Sequence, residues 1–507
     1  MLNIVFVRLF MANLDSVNKS AVKDKALYFI TQMLSVIQQE QDVDKAVIFA
    51  EWLAFYIHEN ACGVYRYDDL EQSIVDKFVD EAVPASAGEP ADDELHVASV
   101  IYRSGGHTPL LRYLIKHSSK PVKVLLTRMT DRVAGCSILE LDAAQVDVID
   151  ASWSAKARMA FLIHTMLGHK RVFLHIHPDD VLCAAAVRVA KRIRPSLMVY
   201  FVNHADHVFS VGLGAADKVF EISIYGWMLR ERRGIVDKSS FIGIPIVASV
   251  VEAVATKPQG ERKLLLTGGA SYKFRPLLGM SLPVVLCRLL ETDPRLDLVV
   301  LGASGKDWWW WRMRLKFGRR VTLLKSVPKD VYRQYVSDAA LYIDSYPWLG
   351  GTAFPEALLL GKAVAGLCGV AWGYSVADEL RSDDVPSFIK RCSAIINGDA
   401  VELAQQQQVR QKCQLFHDPI EVRRRVDVLL EHGTVVCPKA DQLRYAPAPL
   451  VEQLWLQRGR SVLPPRRKVP LSAIDLRIIW RKHVKSFGYA CWPSMKLFFY
   501  AYLKRSV

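Results

Sequence analysis

No Cys-x-x-Cys pair occurs in this chain: its nine cysteines are scattered, and the nearest two are Cys392 and Cys413. That spacing excludes a zinc ribbon and a thioredoxin-type motif and argues against a disulfide framework. His-Glu-x-x-His, the Walker A loop and Gly-x-Gly-x-x-Gly are all missing, so zincin, P-loop and simple dinucleotide chemistry have no signature to rest on. No zinc finger, helix-turn-helix signature or RNA-binding aromatic motif accompanies the positive charge, which sets nucleic acid aside as a partner. Long apolar runs are lacking too. The opening Met1–Met11 stretch is apolar but broken by Arg8; it is too short to span a bilayer and lacks the flanks of a signal peptide. The expected location is the reducing cytoplasm, either soluble or peripheral at the inner face of the membrane.

What is present is ordinary globular composition: 507 residues, 51% hydrophobic and 23% charged, with 28 Gly and 23 Pro. This is enough chain for about three domains. Lys and Arg number 66 against 52 Asp and Glu, a net +14, which suits an anionic partner such as a nucleotide or an acidic membrane face. Residues 1–92 read as a helical cap, closed by the turn-prone Val83–Ala91 stretch. Residues 93–250 alternate short apolar runs with helical periodicity. Strands are expected at Val97–Tyr102, Val122–Leu126, Arg171–His177 and Leu197–Val202, and helices at Ala155–Leu167 and Val181–Ile193. After a polar linker at Ala255–Arg262 the rhythm restarts over 262–432, with strands at Lys263–Thr267, Leu298–Leu301, Val321–Leu324, Ala340–Asp344 and Ala363–Leu367. Residues 433–507 form a basic, aromatic tail. The fold class expected is α/β: two Rossmann-like, doubly wound domains facing a cleft, with a helical N-terminal cap and a C-terminal helical tail.

Three loops carry candidate chemistry. Ser104-Gly105-Gly106-His107-Thr108-Pro109 follows a strand and opens a helix, with Thr108 placed as N-cap and Pro109 in the first helical position. It is either a plain tight turn or a place where backbone N–H groups approach an anion or polarised oxygen. Thr267-Gly268-Gly269-Ala270-Ser271-Tyr272-Lys273 ends the first strand of the second domain; paired glycines and a lysine suit a diphosphate. Asp344 leads into Gly350-Gly351-Thr352 and then Glu356. There the N–H groups can hold phosphate and the carboxylate can accept ribose hydroxyls, although a Glu early in a helix also satisfies the macrodipole.

These blocks, in this order, resemble the donor half of GT-B glycosyltransferases, nearest in layout to O-GlcNAc transferase and the bacterial adhesin glucosyltransferases. Tyr272–Pro276 resembles the diphosphate-contacting lysine block, Arg320–Lys329 the strand and loop that hold the base, and Val336–Asp344 with Gly350–Glu356 the phosphate and ribose segment. The family's His-Thr-Thr loop stands here as Gly351-Thr352-Ala353, and its carboxylate as Glu356. The resemblance implies a metal-independent transferase without cofactor. A nucleotide-sugar donor, of UDP type, would be held by Gly268, Gly269, Ser271, Tyr272, Lys273, Val327, Lys329, Asp344, Gly350, Gly351, Thr352 and Glu356. A glycan or protein acceptor would enter past Gly105, Gly106, Thr108 and His207, and the setting implied is bacterial envelope or protein glycosylation.

Histidine is the side chain suited to take the acceptor's proton near neutral pH. The candidates are His177 first, His107 second and the Asn203–His207 loop third, with His204 in that loop and Asp206 able to orient a neighbour. His175, His177, His204, Asp206 and His207 together also offer metal-ligand chemistry, but strand-end residues of this kind equally suit a polar sugar pocket. The rival readings are a nucleotide-sugar 2-epimerase on the same fold and a non-catalytic glycan- or nucleotide-binding partner in an assembly complex. Trp308–Trp311, followed by Arg312, Arg314 and Lys316, is either the buried face of a helix or a membrane-interface belt. The aromatic and basic residues of 478–505 are either a helix packing back across the domains or a contact with anionic membrane.

Overall fold

The computed structural model describes residues 19–78, 88–102, 106–247, 261–277, 279–439 and 452. It builds two parallel sheets covered by helices. The first holds β1 (Ala91–Ala98), β2 (Val122–Leu126), β3 (Val146–Val148), β4 (His169–His175), β5 (Met198–Asn203), β6 (Lys218–Glu221) and β7 (Ser239–Phe241). Their spatial order is β3-β2-β1-β4-β5-β6-β7. The second holds β8 (Lys263–Gly268), β9 (Leu296–Leu301), β10 (Val321–Leu324), β11 (Leu341–Ile343), β12 (Val364–Leu367) and β13 (Arg381–Ser382), in the order β10-β9-β8-β11-β12-β13. Both halves are Rossmann-like and doubly wound. Strands such as β9, with Leu298, Val299, Val300 and Leu301 all buried, are apolar on both faces because helices cover both sides of a parallel sheet.

The order fixes where a ligand can sit. In the first sheet the chain runs outward from β1 to β3, then returns to lay β4 on the other side of β1. In the second it does the same at β8 and β11. Each reversal leaves a crevice at the strands' carboxyl ends. The loops there are Ser99 onward and Ile176–Asp180 in the first half, and Gly269–Lys273 and Asp344–Thr352 in the second.

The two expected helices in the first half occur as read, Ala155–Leu167 capped by Ser154 and Val181–Ile193 capped by Asp180. Two strands differ. The strand expected at Val97–Tyr102 is Ala91–Ala98, and the one expected at Arg171–His177 is His169–His175. Asp93 and Glu94 fall inside β1, acidic yet buried with partners from distant chain: His169 Nδ1 lies 2.6 Å from Asp93, and Arg423 donates to Glu94 at 3.2 Å. His177 is therefore off the strand and does not share a strand face with His175. The cap consists of helices Lys19–Gln39, Val43–Glu59 and Asp68–Val75. The expected linker's 255–260, Gly105, and the tail apart from Glu452 and the short stretch before 440 lie outside the described residues.

Three side chains tie the halves together. His417 donates through Nδ1 to the Ile244 carbonyl (2.8 Å) and accepts the Ser375 hydroxyl at Nε2 (2.7 Å). Arg425 and Arg423, on the helix Pro419–His432, donate to the carbonyls of Ile242 (2.8 Å) and Leu114 (3.0 Å). That helix buries Val426 and Leu429 against Leu110, Phe173 and Ile242.

Candidate active site

A cavity of about 180 Å³ lies where the two crevices face each other. Gly106, His107, Leu110, His204, Ile222 and Ile244 form one wall, and Lys273, Gly350, Gly351, Thr352 and Tyr374 the other. The walls touch: a Cβ added at Gly106 would sit 3.2 Å from the Thr352 methyl, so glycine lets the loop and the helix start approach this closely.

On the first wall, the helix His107–Lys116 starts two residues earlier than read, with Gly106 as N-cap. Thr108 is thus not the cap. Its hydroxyl accepts the Tyr102 N–H at 2.8 Å and pins the loop that leads into the helix. His107 lies in the first turn, and its Nε2 donates to the His175 carbonyl at 3.2 Å. A carbonyl can only accept, so Nε2 carries the proton and Nδ1 holds the lone pair. That Nδ1 is buried without a partner among the described residues. Burial, together with nearby His177, holds the ring's pKa down to about 4, so it is neutral at physiological pH. The His204 ring lies 4.1 Å from it, likewise held well below its ordinary value by burial.

The other histidines are placed differently. His177 stacks on Tyr102, with ring centroids 5.8 Å apart and an interplanar angle of 4°, and it does not line the cavity. Its backbone N–H donates to Ser99, whose hydroxyl in turn donates to Asp180. Asp206 is buried and accepts the Ser223 hydroxyl. Its other oxygen is 3.7 Å from His207 Nδ1, so it orients neither His107 nor His177. Among the described residues no group of three or more His, Cys, Asp or Glu side chains is arranged to hold a metal ion.

On the second wall, Lys273 reaches across to the Leu349 carbonyl at 2.8 Å. Burial lowers its pKa, opposed by the charge of Asp344. Asp344 itself turns inward: its carboxylate accepts the N–H groups of Ser345 (2.8 Å) and Gly350 (3.1 Å) and pairs with Arg381 at 2.8 Å. It shapes the loop and does not line the cavity. A Cβ at Gly350 would meet that carboxylate at 2.2 Å, and Gly351 has φ +57°, which is why both positions are glycine. Thr352 leads into the helix Ala353–Leu359, which carries Glu356 in its first turn.

Of the remaining expected donor residues, Gly268 ends β8 and Gly269 follows it, and the Gly268 carbonyl accepts the Tyr342 hydroxyl at 3.4 Å. Glu356 lies close enough to Tyr332 and Tyr342 to lift both hydroxyls further than burial alone does. Ser271 is taken up by Asp307, to which its hydroxyl donates at 2.6 Å. Tyr272 stands exposed beside Lys273, Val327 packs against the second sheet's core, and Lys329 opens the helix Lys329–Asp338. Sequence reasoning missed Tyr374 and Arg381. Neither sits in a recognisable motif, and each matters through a contact with a residue distant in the chain.

The architecture is that of GT-B glycosyltransferases. No protein-family model and no curated protein matches the sequence. Among solved structures, Anabaena Alr3699/HepE in complex with UDP is 13% identical, with a TM-score of 0.53, covering 67% of this chain and 100% of that one. A glycosyltransferase from Rickettsia africae is 12% identical, with a TM-score of 0.51, covering 67% and 98%. A Thermobaculum terrenum O-GlcNAc transferase mutant covers 87% of this chain and 82% of its own at 14% identity and a TM-score of 0.47. At such identities the first two establish a shared fold.

The buried imidazoles make an expectation for stability. His58, His107 and His417 are each held down to about 4 by burial, against an ordinary 6.5. Each takes up a proton in the unfolded chain below about 6.5 but resists it in the fold, so stability is lost as pH falls from there through about 4. Glu221, pushed up to about 7 by burial, works in the opposite direction: it holds its proton in the fold and gains the protein stability as pH falls from about 7. Burial also lowers His96, His175 and His204 and raises Glu51, Glu71 and Asp427, so six imidazoles oppose four carboxyls. The melting temperature should therefore drop steadily between pH 6.5 and 4 in a scan at constant ionic strength; a flat or rising profile would contradict these assignments.

Proposed function

We propose that the chain is a glycosyltransferase that moves a sugar from a UDP-sugar to a hydroxyl of a glycan or protein acceptor. One observation carries the reading: His107, a neutral imidazole whose Nδ1 lone pair has no partner among the described residues, lines the same cavity as a lysine and a Gly-Gly-Thr helix start on the opposite wall. Lys273 and the backbone N–H groups at Gly351 and Thr352 hold the diphosphate, and Glu356 holds the ribose. The acceptor enters along the first wall. Its oxygen attacks the anomeric carbon and its proton passes to His107 Nδ1. The bond from that carbon to the phosphate oxygen breaks, and the electron pair leaves on the diphosphate, where Lys273 and the N–H dipoles stabilise it. Bound diphosphate also raises the basicity of His107, since a nearby anion favours the imidazolium. The binding of UDP by the Anabaena structure of the same fold supports the choice of nucleotide.

UDP should raise the melting temperature, by an amount corresponding to about 2.7 kcal/mol at one hundred times its dissociation constant. A UDP-sugar should be consumed only when acceptor is present, and equally well in EDTA because Lys273 supplies the counter-charge. No shift with any nucleotide diphosphate would reject the site. Acceptor-independent conversion would make the protein an epimerase, and activity lost in EDTA and restored by manganese would replace Lys273 with a metal in this role.

A further inference from the structure

The tryptophan run divides between two environments. Trp310 is fully buried, its ring 5.5 Å from Phe274 in an edge contact, whereas Trp308 is 60% exposed and Trp311 53%. Leu315, one turn further along the helix Trp311–Phe317, is 87% exposed. The spacing i, i+3, i+7 sets Trp308, Trp311 and Leu315 on one side of the turn-and-helix segment. The result is an apolar ridge facing solvent. The Trp311 indole is fixed by donating to the Gly305 carbonyl at 2.7 Å, so its exposure is built in. Around the ridge stand Lys306, Arg312, Arg314 and Arg319, all exposed, and none of them makes an ion pair among the described residues.

We infer that this ridge is a docking surface for an anionic lipid bilayer. Indole rings favour the headgroup boundary, a leucine favours the acyl region below it, and flanking guanidinium groups meet lipid phosphates. Charge alone would serve a nucleic acid equally well, but an outward leucine one turn beyond two exposed indoles gains nothing from a phosphodiester backbone. The reverse side of the segment is tied to the cleft: Asp307 accepts the Ser271 hydroxyl at 2.6 Å, and Trp310 packs on Phe274, so the ridge is joined to the turn that carries Lys273. A bilayer seated on the ridge would lie beside that turn. No helix among the described residues is long and apolar enough to cross a membrane, and the contact proposed is peripheral. It stands independently of the reading of the cavity.

The test is co-sedimentation of the full chain with vesicles of phosphatidylcholine alone or mixed with phosphatidylglycerol. The wild type should bind the anionic vesicles, and salt should weaken the binding. Trp308→Ser with Leu315→Ser should lower the partition coefficient about tenfold, and Arg312→Gln with Arg319→Gln should lower it on anionic vesicles while sparing any weak binding to neutral ones. All four positions are exposed, and an unchanged melting temperature will show that the variants fold. Brominated lipid should quench wild-type tryptophan fluorescence more than that of Trp308→Ser. Unaltered binding by both variants would assign any membrane contact elsewhere in the chain and overturn the proposal. So would absence of wild-type binding, or variants that lose binding to duplex nucleic acid instead of to vesicles.

Discussion

His107→Ala is expected to lower turnover by about two to three orders of magnitude while leaving UDP affinity within about twofold, because a positioned general base contributes roughly 10²–10⁴ and acts on the acceptor's proton only as the bond forms. The expectation rests on a tautomer. Nε2 is committed to the His175 carbonyl, so the only lone pair on the ring is at Nδ1, buried and without a partner among the described residues. His107→Gln separates chemistry from packing, since it fills similar space without a titratable nitrogen; it should be nearly as impaired as alanine. The pH profile gives a second readout. With a free-enzyme pKa of about 4, kcat/KM should not fall on its account between pH 8 and 6, as it would for an ordinary imidazole. His177→Ala is the control: that ring stacks on Tyr102 outside the cavity, and its loss should cost less than about tenfold. A His177 variant more impaired than the His107 variant would return the base to the position favoured on sequence grounds.

That difference shows where the sequence stops being informative. Strand and helix positions were legible wherever burial follows local pattern, as at Val122–Leu126, Ala155–Leu167 and Val321–Leu324, whose bounds agree residue for residue. The reading failed where a distant partner overrides pattern. Asp93 and Glu94 look like loop residues until His169 and Arg423 reach them, and misplacing β1 and β4 by a few residues put His177 at a strand end it does not occupy. The Gly350-Gly351-Thr352 loop was visible because glycine pairs before a helix are a local signal. The role of Asp344 was not, since it depends on Arg381, 37 positions later in the chain. The tryptophan run was read as one unit, all buried or all interfacial, whereas a turn entering a helix sends neighbouring rings in opposite directions.

Arg381→Met should produce the largest loss of stability of any single substitution considered. The guanidinium is almost wholly buried and pairs with two carboxylates that are equally buried, Asp344 at 2.8 Å and Asp378 in contact. It also lies over the Phe354 ring, 4.3 Å from its centroid. Removing it leaves two neighbouring buried carboxylates without their counter-charge, and breaking a buried pair in this way costs about 3–5 kcal/mol. At roughly 2–4 °C per kcal/mol for a domain of this size, the melting temperature should fall by about 10 °C. Ligand binding should suffer as well. Asp344 holds Gly350 through its N–H and Asp378 holds the N–H groups of Gly373 and Tyr374, so the Gly350–Thr352 and Tyr374 segments of the second wall both depend on this one arginine. Arg381→Lys keeps the charge but not the forked geometry that serves two carboxylates at once, and should recover part of the stability and less of the UDP affinity. Asp344→Asn in the Arg381→Met background should recover part of the loss, because it removes one of the two uncompensated charges. A melting temperature within about 2 °C of wild type in Arg381→Met, or a double variant less stable than the single one, would show that the network does not organise the second wall.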